Sequence, residues 1–193
     1  MKEVQDHRGT RKTRNAIRNS LIELMEQKAI TQITVTEICE KADIHRTTFY
    51  AHYDDQFDLL KQLEKEAMTQ FDNLLDENKC GVNHASQKIV MAEEILRYIA
   101  SNNNSIQVLL SKNGDIYFQE KFVSRLTTHL QRLRRKHTGE KINDKKNIYY
   151  SIFLVHGAIA VIQLWLKNNM DIPIPEIAKI LLKITQETKS GVW

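Results

Sequence analysis

The sequence predicts an all-α protein, and three observations carry that expectation. Residues 1–172 contain no proline; the only two are Pro173 and Pro175. Apolar residues recur at the three- and four-residue spacing of a helix face along almost all of the 193 residues. No run of alternating β-branched residues is long enough to build a sheet. A hydrophobic content of 41% and a charged content of 27% are ordinary for a globular chain.

The elements follow in order. Ile17, Leu21, Leu24 and Met25 form one stripe, which predicts a first helix over about residues 11–28. Thr34 and Glu37 have the spacing of a capping box, with threonine as N-cap and glutamate three residues on. They open a short helix that buries Val35, Ile38 and Ala42. Asp43 interrupts it, aspartate being more tolerant of a positive φ than most residues. A third short helix covers residues 45–53. Asp54 or Asp55 caps a long fourth helix with the stripe Leu60, Leu63, Ala67, Phe71 and Leu74. It is expected to end near Cys80–Gly81, where glycine suits a left-handed C-cap. Asn113–Gly114 and Thr138–Gly139 read in the same way and mark helices over about residues 84–102, 104–112 and 115–137. An apolar helix covers residues 148–166. Pro173 and Pro175 then separate it from a last helix with the stripe Ile177, Ile180, Leu181 and Ile184. The expected total is about nine helices, with a seam near residue 54 where the short ones end. That seam suggests a small N-terminal domain, residues 1–53, and a larger helical domain, residues 54–193.

Charge and cysteine content narrow the classes. The net charge is +4, and residues 1–18 carry six Lys/Arg against Glu3 and Asp6, a basic arm suited to a polyanion. Cys39 and Cys80 fit a reducing compartment and show no metal or disulfide-framework spacing, although one disulfide is possible. The polar N-terminus lacks the apolar segment of a secretory signal, so a cytoplasmic protein is expected. No His/Cys/Asp cluster has metal spacing, no glycine loop cradles phosphate, and no nucleophile stands out. Neither an enzyme nor a cofactor is expected.

The stretch TTFYAHYDD, residues 47–55, carries the functional signal. Residues 35–53 fit a helix–turn–helix plan, in which the second helix enters the DNA major groove. Phe49 is apolar enough to lock that helix from behind, which leaves His45, Arg46, Thr47, Thr48, Tyr50 and His52 outward. Arginine donates to guanine or phosphate, threonine meets phosphates and thymine methyls, and Tyr and His bond phosphate oxygens. Thr36, at the start of the preceding helix, is placed to add a phosphate contact. The competing reading is a small helical bundle in which Tyr50, His52 and Tyr53 cover a core edge.

ITVTEICEKADIHRTTFYAHYDDQFDLL, residues 33–60, resembles the helix–turn–helix of TetR-family transcriptional regulators. The family pattern falls on Thr34, Val35, Ile38, Ala42, Ile44, Thr48, Phe49, Tyr50, His52, Tyr53 and Leu59. The match covers about residues 13–60 at fixed spacing. It departs from the family at Asp43, which replaces the turn glycine, and at Gln56, which replaces a basic residue that in the family meets a phosphate. With Asp54 and Asp55 beside Gln56, affinity would lean on Arg8, Arg11, Lys12 and Arg14. The resemblance implies that His45, Arg46, Thr47, Thr48, Tyr50 and His52 face the groove.

Residues 148–166 include only Ser151, His156 and Gln163 as clearly polar, so that helix is expected to be buried on all sides or to span a membrane. The midway polar residues favour burial, with Gly157, Ala158 and Val161 meeting the same helix of a second subunit. Helices about 144–168 and 175–188 would then form a four-helix dimer interface, as the resemblance also implies. The resemblance further implies a pocket for a small-molecule effector, for which Tyr98, Phe122, His129, Tyr149, His156 and Gln163 are candidates. Each is equally readable as a core or interface residue. RLRRKHTGEK, residues 132–141, reads as the solvated basic end of a helix. The function expected is a dimeric repressor released from a palindromic double-stranded DNA operator by a small molecule. A helical sensor that acts through a partner protein, with a DNA head weakened by Asp43, Asp54, Asp55 and Gln56, is the alternative.

Overall fold

A computed structural model describes residues 8–75, 85–138 and 145–187. Among them are nine α-helices, one 3-10 turn and no strand. The helices are α1 (Arg8–Met25), α2 (Val35–Ala42), α3 (Arg46–Tyr50), α4 (Gln56–Leu74), α5 (Ala85–Ser101), α6 (Asn103–Leu109), α7 (Ile116–Thr138), α8 (Lys145–Lys167) and α9 (Ile174–Glu187).

Packing divides the chain into two compact units, Met1–Ala67 with Asn104–Asp115, and Met68–Asn103 with Ile116–Trp193. The boundary between these packing units lies inside α4. The first turns of α4 bury Leu59, Leu60, Leu63 and Ala67, so they belong to the first core. Most of α6 joins that core through its buried Ile106, Val108 and Leu109.

In the first unit, α1 buries Ile17, Leu21, Ile22 and Met25. It stops at Met25, earlier than expected, because Glu26, Gln27 and Lys28 have no apolar group to bury and turn into the 3-10 segment Ile30–Gln32. The Asn113 side chain donates to the Met25 carbonyl at 2.9 Å and the Glu26 carbonyl at 3.4 Å. It thereby satisfies helix-end oxygens that have no partner within the helix. Next to it, a Cβ on Gly114 would lie 2.3 Å from the Leu109 carbonyl oxygen, which requires glycine there. Arg18 pairs with Glu66, and Lys41 with Glu23 at 2.7 Å.

The second unit holds the end of α4 with α5, α7, α8 and α9; α7 packs on α8 and α9 on α5. Phe71 lies at its centre, edge-on to Tyr98 at 5.4 Å and to Phe122 at 4.7 Å, with Phe118 stacked on Phe122 at 6.0 Å. Arg125 grips Asp72 with a two-pronged contact of 2.7 and 2.8 Å, which raises the guanidinium pKa further. The link from α8 to α9 uses two left-handed residues, Asn169 (φ 55) and Met170 (φ 58). It is clasped by Met170 N donating to the Trp165 carbonyl at 2.8 Å and by the Trp165 indole N–H donating to the Ile172 carbonyl at 2.7 Å. The Pro173 carbonyl accepts from the Glu176 and Ile177 amides, and Pro175 lies in the first turn of α9 as expected.

One expectation falls differently, at α8, and others lie outside what is described. The fourth helix ends at Leu74, and its expected cap at Cys80–Gly81, like the Thr138–Gly139 break, lies outside the described residues. Most of the basic run 132–141 lies outside the described side chains. The apolar helix α8 is not buried on all sides within one chain. Ser151, Val155, Trp165 and Leu166 are buried, while Tyr149, Phe153, Gly157 and Leu164 are exposed. By length and composition alone, Ile148–Lys167 is long and apolar enough to cross a membrane, a test that core helices of soluble proteins also pass.

Candidate nucleic-acid interface

The interface is built on α2 and α3. Thr34 caps α2 through its hydroxyl, which accepts from the Glu37 amide at 3.3 Å, and the Glu37 carboxylate accepts from the Thr34 amide at 3.0 Å. Lys28 reaches the same carboxylate at 2.5 Å. The Lys28 contact first, then the Thr34 amide and hydroxyl, hold the Glu37 carboxyl at about 2, below its ordinary 4.5. Asp43 ends α2 in the left-handed region at φ 53, ψ 52, its amide donating to the Cys39 and Glu40 carbonyls. It performs the reversal for which the family pattern uses glycine.

α3 is a single short helix braced from behind. Phe49 is 0% exposed, with the Tyr50 and Tyr53 rings each 5.7 Å from it. Tyr53 is buried as well. Its ring is part of the brace, which accounts for one of the three aromatics in TTFYAHYDD. On the other side His45, Arg46, Thr47 and Tyr50 are exposed, Tyr50 at 56%, and Thr48 and His52 are half-buried. Thr36, on the first turn of α2, is also half-buried. Of the three residues that the competing reading sets over a core edge, Tyr53 is buried, His52 is half-buried and Tyr50 is exposed.

The acidic residues after α3 resolve into caps. Asp55 Oδ1 accepts from the Phe57 and Asp58 amides, both at 2.8 Å, so Asp55 rather than Asp54 starts α4. Asp58 Oδ2 accepts from the Asp54 amide at 3.3 Å. Carboxylates favour a helix N-terminus, and that role accounts for Asp55 and Asp58 around Gln56, the position at which the family pattern has a base. Of the basic arm, Arg11 and Lys12 are exposed and Arg14 is half-buried. The side chain of Arg8 lies outside the described ones.

Sequence reasoning missed one contact here: the Arg46 guanidinium donates to the Thr36 hydroxyl. A cleft of about 350 Å³ lies below it, lined by Thr36, Cys39, Glu40, Asp43, Ile44, His45 and Arg46. Burial pushes the Cys39 thiol pKa up, and the positive charge of Arg46 opposes this. The ten-residue spacing of Thr36 and Arg46, each in the first turn of its helix, was the available signal.

The six candidate pocket residues do not converge. Tyr98 and Phe122 meet through Phe71 inside the second unit, and His129 and Gln163 are half-buried. Tyr149 is 73% exposed and His156 is exposed, because both fall on the outward face of α8.

Among the described residues, an all-helical fold in which a short helix braced by Phe49 follows a capped short helix has the architecture of a helix–turn–helix transcriptional regulator. Residues 87–187 match the TetR_C_8 family, described as a transcriptional regulator C-terminal region. The chain belongs to the TetR family of transcriptional regulators, with an N-terminal DNA-binding domain and a C-terminal helical domain. It is similar to a TetR transcriptional regulator from Streptococcus agalactiae at 27% identity, over 92% of this chain and 95% of that one, with a TM-score of 0.60. A TetR-like regulator from a Rhodococcus species matches over 98% and 100% of the two chains at 16% identity and a TM-score of 0.73. NalD of Pseudomonas aeruginosa, the secondary repressor of the MexAB-OprM multidrug efflux pump, matches over 92% and 96% at 18% identity and a TM-score of 0.65. No curated protein sequence matches the chain.

Proposed function

We propose that the protein is a dimeric, cytoplasmic repressor that binds a palindromic operator and is released from it by a small molecule. One observation carries this reading. Phe49 is fully buried beneath α3 while His45, Arg46, Thr47 and Tyr50 project from its other side. A helix anchored by one face and polar on the other suits insertion into a major groove. Thr36, Thr48 and His52 flank it as phosphate contacts, with Arg11 and Lys12 supplying charge.

The exposed apolar side of α8, with Tyr149, Phe153, Gly157 and Leu164, joins exposed Ile180 and Ile184 of α9 as the dimer surface. A two-fold axis through it would present two recognition helices to successive major grooves. Tyr149 and His156 then belong to that interface, and the effector is left to Tyr98, Phe122, His129 and Gln163. Repression follows the role stated for NalD.

Selection of bound sequences from random duplex DNA tests the reading. A recovered palindrome, with affinity that falls steeply as salt rises, supports it. Tyr50→Ala and His52→Ala should weaken binding to all sequences alike. Binding that is indifferent to salt and sequence would favour the partner-protein alternative, which the carboxylates of Asp43 and Asp54 motivate.

A further inference from the structure

The chemistry of α3 leaves open which of its residues read bases and which hold the backbone, and the cleft between α2 and α3 decides this for one of them. We infer that Arg46 is a phosphate clamp acting together with Thr36, and that sequence is read by His45 and Thr47. The inference rests on the DNA-binding reading above.

Arg46 is the first residue of α3, and its side chain does not extend along the face of that helix. It crosses to α2 and donates to the hydroxyl of Thr36. The guanidinium is also close enough to Cys39, in the middle of α2, to oppose the burial effect on its thiol. Both contacts place the positive charge on the flank of α2. In a helix–turn–helix, that preceding helix crosses the sugar–phosphate backbone while the second enters the groove. To touch a base edge, Arg46 would have to release Thr36 and swing forward.

The pair is also suited to an anion. Thr36 accepts from Arg46, which leaves its own O–H to donate, and the guanidinium has further N–H donors. Two donors then converge on a phosphate oxygen. Glu40 and Asp43 also line this cleft, and their carboxylates oppose an anion inside it, so the phosphate meets the Arg46–Thr36 pair from outside. With Tyr50 assigned above to contacts common to all sequences, this leaves His45, the N-cap of α3, and Thr47, both exposed.

The test uses the full-length protein and the sequence recovered by the selection above. Arg46→Ala should lower affinity by about tenfold for that site and for each single-base variant of it alike, with the preferred sequence unchanged. The slope of log affinity against log salt should become shallower by about 0.9 per protomer. Arg46→Lys should restore most of the affinity, since a point charge suffices for phosphate but not for bidentate guanine contact. Thr36→Val added to Arg46→Ala should cost little more than Arg46→Ala alone, because the two groups act as a unit. Thermal melting of each variant within a few degrees of the parent shows that the fold survives, as expected at exposed and half-buried positions. Loss of preference at one base pair per half-site in Arg46→Ala, with an unchanged salt slope and no rescue by lysine, would overturn the inference and leave the regulator reading standing. If the parent protein selects no sequence and binds without salt dependence, the regulator reading fails and takes this one with it.

Discussion

Phe49→Ala tests the brace on which the interface depends. The ring is wholly buried and lies between Tyr50 and Tyr53, each 5.7 Å away. An aromatic side chain buries roughly 150–250 Å², which at about 25 cal/mol per Å² corresponds to about 4–6 kcal/mol. Phe→Ala substitutions in cores cost about 3–5 kcal/mol, so about 4 kcal/mol is a fair expectation. A unit of roughly eighty residues is stable by about 4–12 kcal/mol, so the variant opens far more often and the comparison is made at low temperature, where the parent is near the upper part of that range. Cys39 reports that opening. It is buried in the same unit, and burial also raises its thiol pKa, so it reacts mainly when the unit opens. In a Cys80→Ser background, labelling of Cys39 by a thiol reagent should be about a thousandfold faster in Phe49→Ala, at about 1.4 kcal/mol per factor of ten. Trp165 is buried in the other unit, and in a Trp193→Phe background its fluorescence checks that this second unit is undisturbed, while far-ultraviolet circular dichroism checks that the whole chain keeps its helices at the temperature used. A labelling rate within a few-fold of the parent, with Trp165 fluorescence unchanged, would show that Phe49 does not brace α3 and would refute the reasoning.

Two further outcomes follow from the same unit. Gly114→Ala would place a methyl group 2.3 Å from the Leu109 carbonyl oxygen and disturb the turn that aims Asn113 at the end of α1. A cost of about 2 kcal/mol or more is expected, read as a lower denaturation midpoint and faster Cys39 labelling. The depressed pKa of Glu37 gives an acid-dependent contribution. Its folded value, about 2, lies below the ordinary 4.5, so the stabilisation is complete above the higher value and is lost as pH falls through the lower one. The difference in Tm between the parent and Glu37→Gln should therefore be largest near neutral pH and shrink as pH approaches about 2.

What was legible in the sequence was local. The capping box of Thr34 and Glu37, the left-handed turn at Asp43 and the brace by Phe49 each depend on spacings of a few residues, and each is present. The glycine breaks marked α5, α6 and α7 to within about three residues at either end, because a helix stop is a short-range signal. What was not legible joins distant segments. Asn113 meets the end of α1 across 88 residues, and Arg125 meets Asp72 across 53. No spacing rule links such pairs. The membership of α6 in the first unit was hidden for the same reason, since apolar residues state that a helix is buried but not against what. Tyr149 and His156 were chosen because an apolar helix was expected to be enclosed; in one chain they lie outside.

The corner at Asn169 and Met170 has a consequence for everything C-terminal to it. α8 packs on α7 and α9 on α5, so the orientation of these two helices to each other depends heavily on the short link between them. Left-handed backbone at two successive non-glycine residues is sterically costly, and such a conformation persists only where neighbouring contacts over-determine it. Trp165 supplies two of those contacts, from its carbonyl and from its indole. The outward apolar side chains of α8 and α9 are thus set relative to each other by a corner that one buried tryptophan fastens at two points.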